Sequence, residues 1–227
     1  MLLIDKIIRS NRKTIALVVE LDGKLIIRAP KGATKRQINS LIEKHEAWII
    51  KKQAEARKNA EAFAPHDFIE GEEFFFLGKK YALHYVEKFE EVLKQDIILD
   101  GDFKIKNATR EKAEQFFEKW YKKEARKNFK ERIEFYAKEH GFEYAKIKLS
   151  SAKRRWGSCS SNGNINLTWR LVMMPQEIID YVIVHELCHL REQNHSKAFW
   201  AQVRGILPDY KTRRKWLKGN GKRFQFP

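Results

Sequence analysis

The chain has 227 residues, 43% of them hydrophobic, with 15 Phe, 7 Tyr and 6 Trp, which excludes a disordered polymer and suits one large domain or two small ones. Its 46 Lys and Arg against 30 Asp and Glu give a formal charge of +16, a long-range field that favours polyanions. No apolar run approaches the about 18 residues of a membrane span, and two cysteines, Cys159 and Cys188, are no disulfide framework.

Short apolar runs at 3–9, 14–21 and 24–29 read as strands, and Asp22-Gly23 between the last two is a hairpin signal. Pro30-Lys31-Gly32 closes this unit. Thr34 then caps a helix expected to run to about Ala62, with Ile38, Leu41, Ile42, His45, Trp48 and Ile49 as its apolar stripe. A second β unit follows, with Phe74–Leu77 and Tyr81–Val86 as a hairpin and further strands at 97–99 and 103–106. Phe74-Phe75-Phe76 reads as hairpin core. A long helix from about Thr109 to Glu139 ends at His140-Gly141, a C-cap signature. The pattern divides the chain near Asn107, into an N-terminal α+β accessory domain over 1–107 and a second domain over 108–227.

In the second part, Ala145–Ser151 reads as a strand and Asn164–Leu171 as another. Between them lies a basic, glycine-bearing loop, Lys153-Arg154-Arg155-Trp156-Gly157-Ser158. Its arginines and the Gly157 region are candidates to hold an anion, and a strand edge here could bind an extended peptide. The bland reading is a packed Trp156 with surface arginines.

Pro175 to Asn194 is expected to form one helix with Ile178, Ile179, Val182, Leu187 and Leu190 as apolar positions. It carries His185-Glu186-Leu187-Cys188-His189, an HExxH motif. Two histidines four apart share one helix face and can reach one metal ion, while Glu186 sits close enough to act on a water there without being a ligand. Cys188 occupies a free position of the motif and reads as a small core hydrophobe. The third ligand has two candidates. His195 follows a plausible helix end at Asn194, and Ser196 looks like the cap of a further helix bearing Phe199, Trp200 and Val203. Glu192, three residues after His189, is the rival.

The positive charge concentrates around Lys51, Lys52, Arg57 and Lys58, along Lys119, Lys122, Lys123, Arg126, Lys127 and Lys130, and around Lys211, Arg213, Arg214, Lys215 and Lys218. Glu118, Glu124 and Glu131 interleave the middle cluster, which points to surface pairing. Met1-Leu2-Leu3-Ile4-Asp5 lacks the features of a signal peptide, so a cytoplasmic location is expected.

With these residues on the page, the chain resembles the YgjP-like metallopeptidase family, related to the WLM and SprT-type minimal zincins. Arg154-Arg155-Trp156-Gly157-Ser158-Cys159, Asn164-Ile165-Asn166-Leu167 through Met174-Pro175, and the HExxH stretch with His195-Ser196-Lys197-Ala198-Phe199-Trp200 carry the resemblance. The N-terminal hairpin with its Trp48-Ile49 helix looks like the family's leading segment. The resemblance implies an α+β fold with a zincin-like catalytic domain, Zn²⁺ held by His185, His189 and His195, and Glu186 as general base. Peptides or proteins are then the expected substrates. Oxyanion donors are nominated only as candidates: Arg154, Arg155 or Tyr210, with Trp156 beside them as a possible substrate contact. Two other readings stay open. One is a metal-dependent nucleoside triphosphate pyrophosphatase, which the charge and the Arg154-Arg155 loop suit, though no acidic cluster for Mg²⁺ and no phosphate-binding loop is evident. The other is a basic nucleic-acid-associated module with structural zinc. No membrane partner is expected.

Overall fold

The structure is a computed structural model and describes residues 3–20, 23–62, 66–86, 95–224 and 226, with side chains omitted for 57–62. The chain folds as an α+β protein in two compact units, Met1–Ala64 and Pro65–Pro227. The division expected near Asn107 therefore falls much earlier. The second β unit, assigned from sequence to the accessory domain, belongs to the unit that carries the HExxH helix.

In the first unit, β1 (Lys6–Ser10), β2 (Ala16–Val19) and β3 (Leu25–Pro30) form a sheet of order β1-β3-β2. β2 and β3 are the expected hairpin, closed by a bond from the Glu20 N–H to the Lys24 carbonyl at 2.9 Å. Asp22 of its turn lies outside the described residues. Leu25, Ile27 and Ala29 alternate inward against Ile38, Ile42 and Ile49. The single expected helix is two: α1 (Lys35–Lys44), opened by a capping box between Thr34 and Gln37, and α2 (Glu46–Ala62). The break falls at His45, which is exposed rather than a half-buried member of the stripe, and Trp48 remains 42% exposed. Arg57 and Lys58 of the first basic cluster have side chains outside the described set.

The second unit begins with a four-stranded sheet of order β4-β5-β7-β6, built from β4 (Glu73–Phe76), β5 (Lys79–Val86), β6 (Ile97–Asp100) and β7 (Asp102–Lys106). Phe74 and Phe103 enter the core and meet Phe117 of α3 (Arg110–His140) at ring separations of 4.2 and 4.9 Å. Leu77 and Gly78 turn the β4–β5 hairpin with positive φ of 48° and 80°. The N–H groups of this turn donate to the Val172 and Met173 carbonyls, both at 3.0 Å. Gly141 ends α3 in the left-handed region, as its sequence signals.

β8 (Lys146–Ser150), β9 (Gly157–Cys159) and β10 (Asn164–Thr168) make the third sheet, ordered β8-β10-β9, so β9 lies at an edge. β10 stops at Thr168, short of the expected Leu171, because Trp169–Met173 coil into a fully buried 3₁₀ helix. α4 (Gln176–Cys188), α5 (Lys197–Ile206) and α6 (Tyr210–Asn220) complete the unit. Ten of the 13 residues of α4 are buried, which accounts for its apolar composition around most of its circumference. No helix among the described residues is long and apolar enough to cross a membrane.

Candidate metal centre

α4 is held in place before it reaches the motif. Asp180, 7% exposed, accepts from Arg132 of α3 through Nε and Nη2, both at 2.7 Å. Tyr136 and Gln176 donate to it as well, at 3.2 and 3.0 Å. One turn later His185 turns out of the core, and the helix ends at Cys188 with His189 as its C-cap residue. The helix is thus shorter than the expected run to Asn194. The polypeptide then reverses: Gln193 donates its side-chain amide to the His189 carbonyl at 2.7 Å, and Arg191 donates to the His140 and Gly141 carbonyls at the end of α3. Ser196 caps α5 by accepting from the Phe199 N–H at 3.1 Å, as its position suggests.

This reversal brings His195 to the motif histidines. The three rings stand almost equidistant, with centroids 4.9, 4.9 and 4.8 Å apart. One ligand nitrogen from each lies within 4.8 Å of the other two. Phe199, fully buried, packs against all three rings at 4.5–4.9 Å and forms the floor of the cluster. His189 Nδ1 donates to the Glu192 carbonyl at 2.9 Å, which fixes the tautomer that leaves the Nε2 lone pair free. His185 Nδ1 is buried without a hydrogen-bond partner, so packing by Tyr181 and Phe199 orients that ring. Burial, reinforced by the neighbouring His189 and His195 and by Arg214, pushes the His185 pKa down to about 3. A neutral imidazole is the form that ligates a metal.

The Nε2 atoms of His185 and His195 face each other at 3.0 Å. Two ligands about 2.05 Å from a tetrahedral ion stand roughly 3.3 Å apart, so the donor set fits a small divalent cation. Glu192 does not enter the cluster: its carboxylate accepts from Ser196 at 3.4 Å and its carbonyl serves His189.

Glu186 is 6% exposed and faces β9. Burial raises its carboxyl to about 7, opposed by a bond from the Cys159 backbone and by the charge of Arg155. Gly157 leaves the room that this side chain occupies; the anion cradle considered for the Gly157 region is filled by the protein's own carboxylate. Of the other residues singled out in sequence, Arg155 is exposed near Glu186, and Arg154 is exposed in the same loop. Trp156 packs beside Gly221, the C-cap residue of α6, where a Cβ would meet its ring at 3.3 Å. Tyr210 is buried and stacks on Trp200 at 5.4 Å. Cys188 is buried, with its thiol pushed up to about 12 by desolvation, as suits a core residue.

Two residues near the histidines were missed in sequence. Tyr181 lies one turn before His185 on α4, with ring centroids 6.0 Å apart. Arg214 lies over the ring of Trp200 at 4.6 Å, and Trp200 stacks on His195. The available signal was the four-residue spacing of Tyr210 and Arg214, which puts both on one face of α6.

The sequence matches the model of a family described as YgjP-like, metallopeptidase domain, over residues 13–220. The crystal structure of the metallopeptidase zymogen of Pyrococcus abyssi abylysin is similar to part of the chain. It shares 23% identity and a TM-score of 0.36, over 40% of this chain and 93% of that one. No curated protein shows a significant match.

Proposed function

The chain belongs to the YgjP-like metallopeptidase family, and from that premise we propose that it is a zinc-dependent peptidase acting on peptides or proteins, with His185, His189 and His195 as ligands and Glu186 as general base. The observation that carries this reading is the convergence of three imidazoles beside a buried carboxyl under an edge strand. When bound, Zn²⁺ supplies a Lewis acid that polarises a scissile carbonyl and makes a water easier to deprotonate.

The chain's own residues do the rest. Glu186 takes a proton from the attacking water and returns it to the leaving amine; a carboxyl held near pH 7 is matched to both transfers. β9 lies at a sheet edge where the Cys159 backbone already bonds Glu186, and an extended substrate can pair with the remaining outward groups and present its carbonyl beside Glu186. A second reading, hydrolysis of nucleoside triphosphates, draws support from the exposed Arg155, whose charge acts on the same carboxyl.

A mass-spectrometric product screen tests the proposal. Zinc-loaded protein is offered unstructured peptides and nucleoside triphosphates, with Glu186→Gln as control. Peptide fragments that vanish in the control are expected. Released pyrophosphate or monophosphate that vanishes in the control, with every peptide intact, would overturn the peptidase reading.

A further inference from the structure

α6 carries two neighbouring arginines with opposite situations. Arg213 is fully employed: Nε donates to Asp209 at 2.9 Å and Nη1 to the Glu177 carbonyl at 3.0 Å, tying α6 to α4. Arg214 is exposed and has no ion pair or hydrogen bond among the described residues. Its guanidinium carbon instead lies over the Trp200 ring, 4.6 Å from the centroid, a contact that holds the group in place without using its N–H donors. Trp200 in turn stacks on His195 at 5.5 Å and on Tyr210 at 5.4 Å. The cation is therefore carried on a rigid aromatic stack that ends at a proposed metal ligand.

A dication held by the histidines would be repelled by Arg214 across the Trp200–His195 stack, since both carry positive charge. No carboxylate of the described residues neutralises it. An anionic group on the substrate would relieve the repulsion and accept the paired N–H groups that a guanidinium presents. From this geometry we propose that Arg214 is a specificity residue of the same site, selecting peptides with an Asp or Glu side chain within two residues of the bond cleaved. The proposal rests on the peptidase reading above and names its substrate class.

The test compares matched peptides that differ only by Glu or Gln beside a cleaved bond, taken from the cut sites of an unstructured peptide mixture. Wild-type protein is expected to prefer the Glu peptide by roughly tenfold in kcat/KM, chiefly through KM. R214Q should bring that ratio close to one, and R214K should keep part of the preference. In the inactive E186Q background, adding R214Q should weaken binding of the Glu peptide by about tenfold and leave the Gln peptide unaffected. An unchanged ratio in R214Q, or an equal loss on both peptides, overturns the role of Arg214 and spares the peptidase. Hydrolysis of nucleoside triphosphates with no peptide cut overturns the peptidase reading and this inference together.

Discussion

A Cβ placed on Gly157 would stand 2.6 Å from Oε1 of Glu186 and 2.7 Å from its Cγ. The edge strand and the motif helix approach so closely here that only a residue without a side chain fits. Glu186 is buried by β9 as a result, and that burial is what raises its carboxyl towards neutrality. Gly157→Ala should push Glu186 out of position without touching any histidine. The expected result is a fall in kcat of about 10²-fold with metal content unchanged. Equal kcat in the variant would show that Glu186 has slack in its placement and would remove the link between strand and base.

The choice between His195 and Glu192 for the third ligand can be decided by metal content. Ser196 and His189 occupy the polar groups of Glu192, whereas His195 faces His185 directly. His195→Ala should lose bound zinc by at least one order of magnitude in affinity, because two ligands on one helix do not complete a tetrahedral site. Glu192→Ala should retain it, with at most a modest loss from its contact to the α5 cap. Full zinc retention in His195→Ala, measured by metal analysis after dialysis, would refute the assignment.

Asp180 links the motif helix to α3 through three hydrogen bonds, two from Arg132 and one from Tyr136. Removing the carboxylate strands a guanidinium whose side chain is 29% exposed, so water can take over part of its bonding. Asp180→Ala should destabilise the protein by about 2 kcal/mol in urea unfolding. A change below about 0.5 kcal/mol would mean that packing alone holds α4 on α3.

The motif, the cap of α5 and the end of α3 were legible because their signals are local: a fixed HExxH spacing, Ser196 three residues before Phe199, Gly141 after a long helix. Features set by tertiary context were not. Asn164–Leu171 alternates like one strand, yet the chain coils at Trp169 because Trp169 through Met173 are all required in the core. The Thr34 helix shows continuous apolar spacing through His45, and nothing local announces the break there. Arg214 sat unremarked in a cluster of cations whose composition is uniform; only the fold distinguishes it from Arg213 by what each one touches. The domain boundary was misplaced for a related reason. Phe74 and Phe103 look like the core of their own sheet, whereas they are completed by Phe117 of α3.

That shared core gives the last prediction. Gly78, at the tip of the β4–β5 turn, has φ of +80°, and a Cβ there would lie 2.8 Å from Cα and Cγ of Pro175. Pro175 immediately precedes α4, so the hairpin and the start of the motif helix are in direct contact. Gly78→Ala meets two penalties, a left-handed backbone and a clash with backbone atoms that cannot rotate away. The expected loss is about 2 kcal/mol of stability, read by thermal or urea unfolding. Because the sheet and the motif helix belong to one unit, the variant should still unfold in a single transition for that unit, with hydrogen exchange rising in both the hairpin and α4. Loss of protection confined to 66–106, with α4 unchanged, would restore a boundary near Asn107.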